Sequence, residues 1–282
     1  NGPKIELIDN PGRHVSSARN LALSLLPPSV THLVELIGHC IVPNDHISTR
    51  MKSWQKYELQ AKENNSASLG ALGVKVLSRE GVLGIFESWV EGALSSPLGS
   101  GGGQFDNFSS PGKTRIPAFA THLRSAVQEV GGWDDDFISC QDSDLSMRMI
   151  EKGYCLMRCP ETTVSMAKRT SVTRWWKMGH RYGFWRTKTV LRHPKRISLR
   201  EYAPWFGLVF SAVLFALSSE YWIIPAGLYG VVLMVEALRS SISNRRISLL
   251  IGIPICLFML HTSFSIGLLD GLLRKGKASS DR

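Results

Sequence analysis

The last third of the chain most limits what it can become. From Tyr202 to Leu273 the sequence is dominated by Leu, Ile, Val, Phe, Trp and Gly. Three stretches there are candidate membrane spans: Pro204 to Leu217, Tyr221 to Leu238, and Ile247 to about Leu269. A spanning helix needs roughly 20 mainly apolar residues, which the first two approach and the third exceeds. Any one alone reads equally well as a buried core helix. Three in succession, parted only by Ser218-Ser219-Glu220 and one basic loop, point to a bilayer.

The charge pattern agrees. The formal net charge is +10, and Lys168 to Arg200 alone holds eleven Lys or Arg with no Asp or Glu. Such a run suits nucleic acid or an anionic membrane surface. Its place directly before the apolar third favours the membrane, and no nucleic-acid motif accompanies it, so no nucleic-acid partner is expected. Within it, Trp175, Met178, Tyr182 and Trp185 recur at helical spacing, with Arg174, Lys177, Arg181, Lys188 and Arg192 around them. That pattern predicts an amphipathic helix in the headgroup layer or one packed on the preceding domain. The five cysteines are scattered and odd in number, which argues against a disulfide framework.

The first two hundred residues alternate strand and helix. Lys4 to Ile8 reads as a strand, and Ser16 or Ser17 as the cap of a helix that Pro27-Pro28 stops. Thr31 to Ile37 reads as a second strand, which would complete a βαβ unit of a parallel sheet. A polar helix comes next over Met51 to Asn64, then a Gly/Ser-rich loop from Leu94 to Gly112, either a linker or a loop that orders over a ligand. Pro117 to Phe119 is predicted as a strand, Arg124 to Val130 as a helix, and Tyr154 to Cys159 as a strand ended by Pro160. Between them Asp134, Asp135, Asp136, Asp142 and Asp144 crowd a loop and a helix start. Like charges there raise at least one pKa, and a helix N-terminus partly offsets the effect. The cluster fits either a solvated capping loop or a general base at a sheet edge.

The run Gly131-Gly-Trp-Asp-Asp-Asp-Phe-Ile-Ser-Cys-Gln-Asp-Ser-Asp-Leu-Ser-Met-Arg148, followed by Gly153-Tyr154, His180-Arg-Tyr-Gly-Phe-Trp-Arg186 and His193-Pro194, resembles the family 2 inverting glycosyltransferases. The likeness is greatest to the bacterial and archaeal enzymes of exopolysaccharide (succinoglycan-type) and lipid-linked glycan assembly. Asn10-Pro11, Ala18-Arg19-Asn20 and Ser95-Ser-Pro-Leu-Gly99 fit that group too.

The resemblance implies an α/β fold of the GT-A type, Rossmann-like with a mostly parallel sheet, and C-terminal transmembrane helices. It implies a nucleotide-sugar donor and a lipid-linked or polysaccharide acceptor. It makes Asp142 the catalytic base, puts Arg181, Tyr182, Arg186 and Asn20 on the donor and its diphosphate, and puts Gln141, Asp144 and Trp185 either about the acceptor or behind the residues that touch it. It also implies Mn2+ or Mg2+, held by an Asp-x-Asp or Asp-x-His motif after the second strand. The chain reads Ile37-Gly38-His39 there, which leaves His39 as the one ligand. Met178 replaces the family's Gln, and the family's first βαβ unit would lie upstream of Asn1. A catalytically silent member that scaffolds a glycan-assembly complex is the alternative these departures favour.

The expected organisation is a transferase domain over 1–167, a basic interface segment over 168–200, two to three transmembrane helices over 201–273 and a basic tail over 274–282. Lys and Arg cluster before the first span and in Arg239 to Arg246, which puts the enzyme domain on the cytoplasmic face of the cell membrane. The tail Arg274-Lys-Gly-Lys277 disagrees with three full crossings, so the third segment is either re-entrant or interfacial, or its tail tolerates the outer side.

Overall fold

The computed structural model describes residues 4–100, 105, 108–218, 220–275 and 277. The glycines at 101–103, Ser219 in the expected loop, and most of the basic tail lie outside them. The strands are β1 (His32–Val34), β2 (Cys40–Ile41), β3 (Leu69–Ser78), β4 (Gly112–Lys113), β5 (Thr121–Leu123) and β6 (Cys155–Met166). The helices are α1 (Val15–Leu25), α2 (His46–Glu63), α3 (Ile85–Ser95), α4 (Pro97–Ser100), α5 (Arg124–Glu129), α6 (Gln141–Glu151), α7 (Val172–Arg192), α8 (Leu199–Ala216), α9 (Ile223–Asn244) and α10 (Leu249–Leu273).

The fold is α/β, built on one six-stranded mixed sheet in the order β1-β5-β3-β6-β2, with β4 also on β6. Among the described residues β3–β6 is the one parallel pairing, and β1–β5, β3–β5, β2–β6 and β4–β6 are antiparallel. The sheet is therefore less parallel than expected. β1 lies against β5, not beside a strand that α1 returns to, so the expected βαβ unit at the start does not close. β3 and β6 are the long central pair; β3 is buried along most of its length, as a strand covered on two faces must be, while β6 buries Leu156, Cys159 and Val164.

Several local expectations shift for identifiable reasons. Lys4 to Ile8 has the alternation of a strand, yet it pairs with none, and Ile5 and Leu7 are exposed. Ser16 and Ser17 lie inside α1 and do not cap it: Ser16 Oγ donates to the Phe137 carbonyl and Ser17 Oγ to that of His14. The strand expected at 117–119 forms instead at β5, because Phe119 turns the chain at φ +45°. Pro160 does not end β6. The register with β3 jumps from Val74↔Cys159 to Lys75↔Thr163, and the proline sits in that irregularity, where no ladder hydrogen bond is asked of it.

Two cores flank the sheet. On one side α5 and α6 bring Ala126, Val127, Leu145 and Met149 against Ala71 and Leu156. On the other α2 lays Trp54 and Tyr57 on Leu72, Val74 and Val164. A third core lies away from the sheet, where α3, α7, α9 and α10 bury Val90, Trp175, Met178, Leu233, Ile253 and Leu257.

Two helices, spanning Glu220–Asn244 and Leu249–Leu273, are long and apolar enough to cross a bilayer. The apolar stretch of the first is only 17% buried, that of the second 44%. The difference comes from α7. Trp175 Nε1 donates to the Cys256 carbonyl at 3.0 Å, and Thr187 Oγ1 to that of Leu268 at 2.9 Å, so the two helices run side by side in the same direction. Glycines allow the approach: a Cβ on Gly183 would stand 2.0 Å from the Phe264 carbonyl oxygen, and one on Gly267 would stand 2.0 Å from that of His180. Gly179/Gly183 and Gly267/Gly271 are two small-xxx-small pairs set face to face. The aromatic stripe of α7 is thus buried in protein, while Arg174, Lys177 and Arg181 stay exposed.

Candidate active site

The acidic run lies where the sheet side meets the membrane helices. Gly131 and Gly132 end α5 at φ +84° and +75°, conformations that cost glycine little. The chain then crosses to α7, where Phe137 packs on Trp185 and Phe184. Cys140, at φ +60°, turns it sharply into α6. A non-glycine residue held in that region stores strain and aims the next side chains along the chain. Here those are Gln141 and Asp142, in the first turn of α6.

Asp142 Oδ1 accepts from the Ser143 amide at 2.8 Å, as the helix N-terminus favours for an anion. Burial nonetheless raises its pKa. Arg19 opposes that rise and the Glu35 carboxylate adds to it. Beneath it Glu35 is paired with Arg19 at 2.6 Å and His122 at 3.2 Å, and those partners hold it below the usual carboxylate range against burial.

Asp142 opens onto a cavity of about 1650 Å³. Gln141 and Asp142 of α6 share its wall with Arg181, Tyr182 and Arg186 of α7. Gln141 Oε1 is buried with no hydrogen-bond partner among the described residues, a vacant acceptor for a substrate hydroxyl. Lys113, Arg115, Arg158 and Arg196 complete a strongly cationic end, with Glu201 as the one further carboxylate among its lining residues. The other end is apolar and runs between α8, α9 and α10. Arg181 lies over the Tyr182 ring, and burial raises the Tyr182 phenol, with Cys140 and Asp142 adding to the rise.

No protein-family model matches the chain. Over 229 residues it is 24% identical to the succinoglycan biosynthesis protein ExoA of Rhizobium meliloti (strain 1021), covering 80% of this chain and 66% of that protein. Over 142 residues it is 27% identical to the dolichyl N-acetyl-alpha-D-glucosaminyl phosphate 3-beta-D-2,3-diacetamido-2,3-dideoxy-beta-D-glucuronosyltransferase of Methanococcus voltae, covering 50% of this chain and 42% of that protein. These likenesses support a family 2-like glycosyltransferase. It spans less than two thirds of the length of each of these curated relatives.

Not every residue implied for the transferase site meets the cavity. Asn20 instead clamps the acidic loop: its Nδ2 donates to the Trp133 carbonyl at 2.7 Å and its Oδ1 accepts the Trp133 amide at 2.9 Å. Asp144, fully buried, ties α6 to the end of α7, with Arg148 at 2.7 Å and His193 Nε2 at 3.0 Å. His193 reaches Glu151 with its other ring nitrogen at 2.9 Å. Trp185 packs against Phe137 under that loop. Arg186 lines the cavity, but its Nε is spoken for by Glu201 at 2.8 Å.

The residues at the family's metal position do not fit a divalent ion. Ile37 has no ligand atom, His39 lies exposed in a turn away from the cavity, and no group of three or more His, Cys, Asp or Glu converges among the described residues. Three cavity residues carried no sequence signal of their own. Arg115 sits in an ordinary loop, Arg196 hides within the basic run, and Glu201 is only the first acid after it.

Proposed function

We propose that this transferase moves a sugar from a nucleotide-sugar donor to a hydroxyl of a lipid-linked or polysaccharide acceptor, with inversion and with Asp142 as base. Asp142 supports the reading most: it is the carboxylate of the implied motif that faces the cavity. The acceptor oxygen forms its bond to the anomeric carbon as the bond to the diphosphate oxygen breaks. Asp142 takes the hydroxyl's proton, and the electron pair leaves with the nucleoside diphosphate. A base of this kind contributes about 10²–10⁴-fold.

Arg181, beside Tyr182 and lining the same cavity as Asp142, suits the departing diphosphate, since a planar guanidinium matches phosphate oxygens. Asp142→Asn is expected to lower transfer of a radiolabelled sugar by at least ~10²-fold while membrane association and thermal unfolding persist. A variant that keeps most of its activity removes Asp142 from the role. The scaffold reading is favoured by Ile37 and the exposed His39. It predicts no heat from a nucleotide sugar with Mn2+ in calorimetry, where the transferase reading predicts donor binding.

The same reading sets the domain at the cytoplasmic face of the cell membrane. α9 and α10 pack side by side as one unit, with the Tyr229 hydroxyl 2.8 Å from His261 Nδ1, and α10 is also held to α7 at the surface. The support is α7: a helix exposing Arg174, Lys177 and Arg181 does not enter hydrocarbon, and α10 is packed along it. Arg239 to Arg246 and Arg274 to Lys277 then share the cytoplasmic side.

A further inference from the structure

A divalent ion would find neither ligands nor a favourable field in the cavity. Six Lys or Arg line it against two carboxylates, Asp142 and Glu201, an excess of four formal positive charges. Neither carboxylate is open to a metal. Glu201, in the first turn of α8, lies 2.8 Å from Arg186 Nε through one oxygen and 3.3 Å from Arg196 Nη1 through the other. Asp142 is turned onto the Ser143 amide at 2.8 Å, and burial favours its protonated form. Ile37 has no ligand atom and His39 lies exposed outside the cavity. A dication brought among such charges is repelled by them.

The cations themselves form one connected group. Burial pushes the Cys140 thiol up to about 11, and Arg186 and Arg181 both oppose the rise, so both guanidiniums lie near the turn that aims Asp142. Burial lowers the pKa of Arg196, and the charges of Arg186 and Arg115 lower it further, as neighbours of like sign do. Arg196 is only 7% exposed, and its Nε has no hydrogen-bond partner among the described residues. Arg186 Nη1 is likewise buried without one. Donors left so are costly unless a ligand meets them. A departing nucleoside diphosphate is a ligand of the right charge. Its terminal phosphate carries about −1.5 to −2 at neutral pH, and its inner phosphate adds roughly one more.

We infer that Arg181, Arg186 and Arg196 take the place of a divalent ion, meeting the donor's diphosphate with their N–H groups so that donor binding needs no metal. The inference rests on the transferase reading and removes Mn2+ or Mg2+ from it. As the bond to the anomeric carbon breaks, its electron pair passes to the diphosphate oxygen, and the guanidiniums neutralise the charge that appears there. Glu201 is the positioning residue that holds Arg186 and Arg196 toward one another.

Inorganic pyrophosphate, titrated by calorimetry into the purified full chain in detergent, tests this without a sugar, a base or turnover. In EDTA it is expected to bind at least about tenfold tighter than inorganic phosphate or sulfate, and Mn2+ in place of EDTA should not tighten it. Arg181→Gln and Arg196→Gln should each weaken it by at least about tenfold. Arg181 is exposed, so its replacement does not disturb the core. Arg174→Gln removes the same charge from α7 outside the cavity and should bind like the parent. Binding that appears only with Mn2+, sulfate binding as tightly, no binding in either buffer, or Arg181→Gln and Arg196→Gln both matching the parent overturns the proposal. Mn2+-dependent binding by a chain that transfers sugar sinks this inference and spares the transferase reading. Metal-free binding by a chain that transfers none leaves a diphosphate site and sinks the transferase reading.

Discussion

In its proposed role as base, Asp142 would draw on being poorly solvated. Burial raises its pKa more than Arg19 and the α6 amides lower it, so the proton it would accept is held more firmly than by a free aspartate. A base must start ionised. Activity is therefore expected to fall toward acid pH with an apparent pKa above the ordinary 3.8, read from the kcat/KM profile. Linkage has the opposite sign for stability. The folded state binds the proton more tightly than the unfolded one, so ionisation of this group costs stability as pH rises from its ordinary value through its raised one. Asp142→Asn, inactive, should unfold no lower than the parent at neutral pH. Asn20 has a structural task at the same scale. Its amide satisfies both backbone groups of Trp133, and Asn20→Ala is expected to cost about 1–3 kcal/mol in denaturant unfolding. The motif Ala18-Arg19-Asn20 was legible in the sequence, but a motif names a position and not which partner its side chain finds.

Helices packed through glycine set the arrangement of α7 and α10. Their backbones come close enough that the carbonyls of Phe264 and His180 occupy the space a Cβ would take. Gly183→Ala must push the pair apart or distort one backbone, and overpacking of this kind costs about 1–3 kcal/mol. Thermal unfolding in detergent should record that loss, whereas Gly227→Ala in α9, with nothing within 4 Å of its Cβ, should not lower the unfolding temperature. The strip of Trp175, Met178, Tyr182 and Trp185 predicts an amphipathic helix correctly, yet not what covers its apolar face. Lipid and a partner helix are equally apolar, and periodicity does not distinguish them. Only the spacing of glycines on both helices separates the two.

For the molecule as a whole, the pairing of α10 with the charged helix α7 is what the proposed membrane arrangement rests on. If α10 crossed the bilayer, the tail after Leu273 would face away from Arg239 to Arg246. With α10 at the surface, both basic segments lie on one side. Single cysteines introduced as R246C and K277C, in a background free of the five native cysteines, should react with a membrane-impermeant maleimide from the cytoplasmic side only. Labelling of the two from opposite sides would restore the third crossing.

The amount of apolar sequence, the basic run before it and the order of acidic and aromatic motifs were enough to give the α/β class, helices of membrane-spanning length and the likeness to glycosyltransferases. These are properties of composition and local period, which survive without knowing what lies next to what. Tertiary structure alone decided the rest. It drew Arg115, Arg196 and Glu201 together from a loop, a short turn and a helix start, removed Asn20 and Asp144 from the cavity, and strapped the most apolar helix to the most basic one. Each of those outcomes depends on contacts between residues distant in the chain, where burial and charge act through space rather than along sequence.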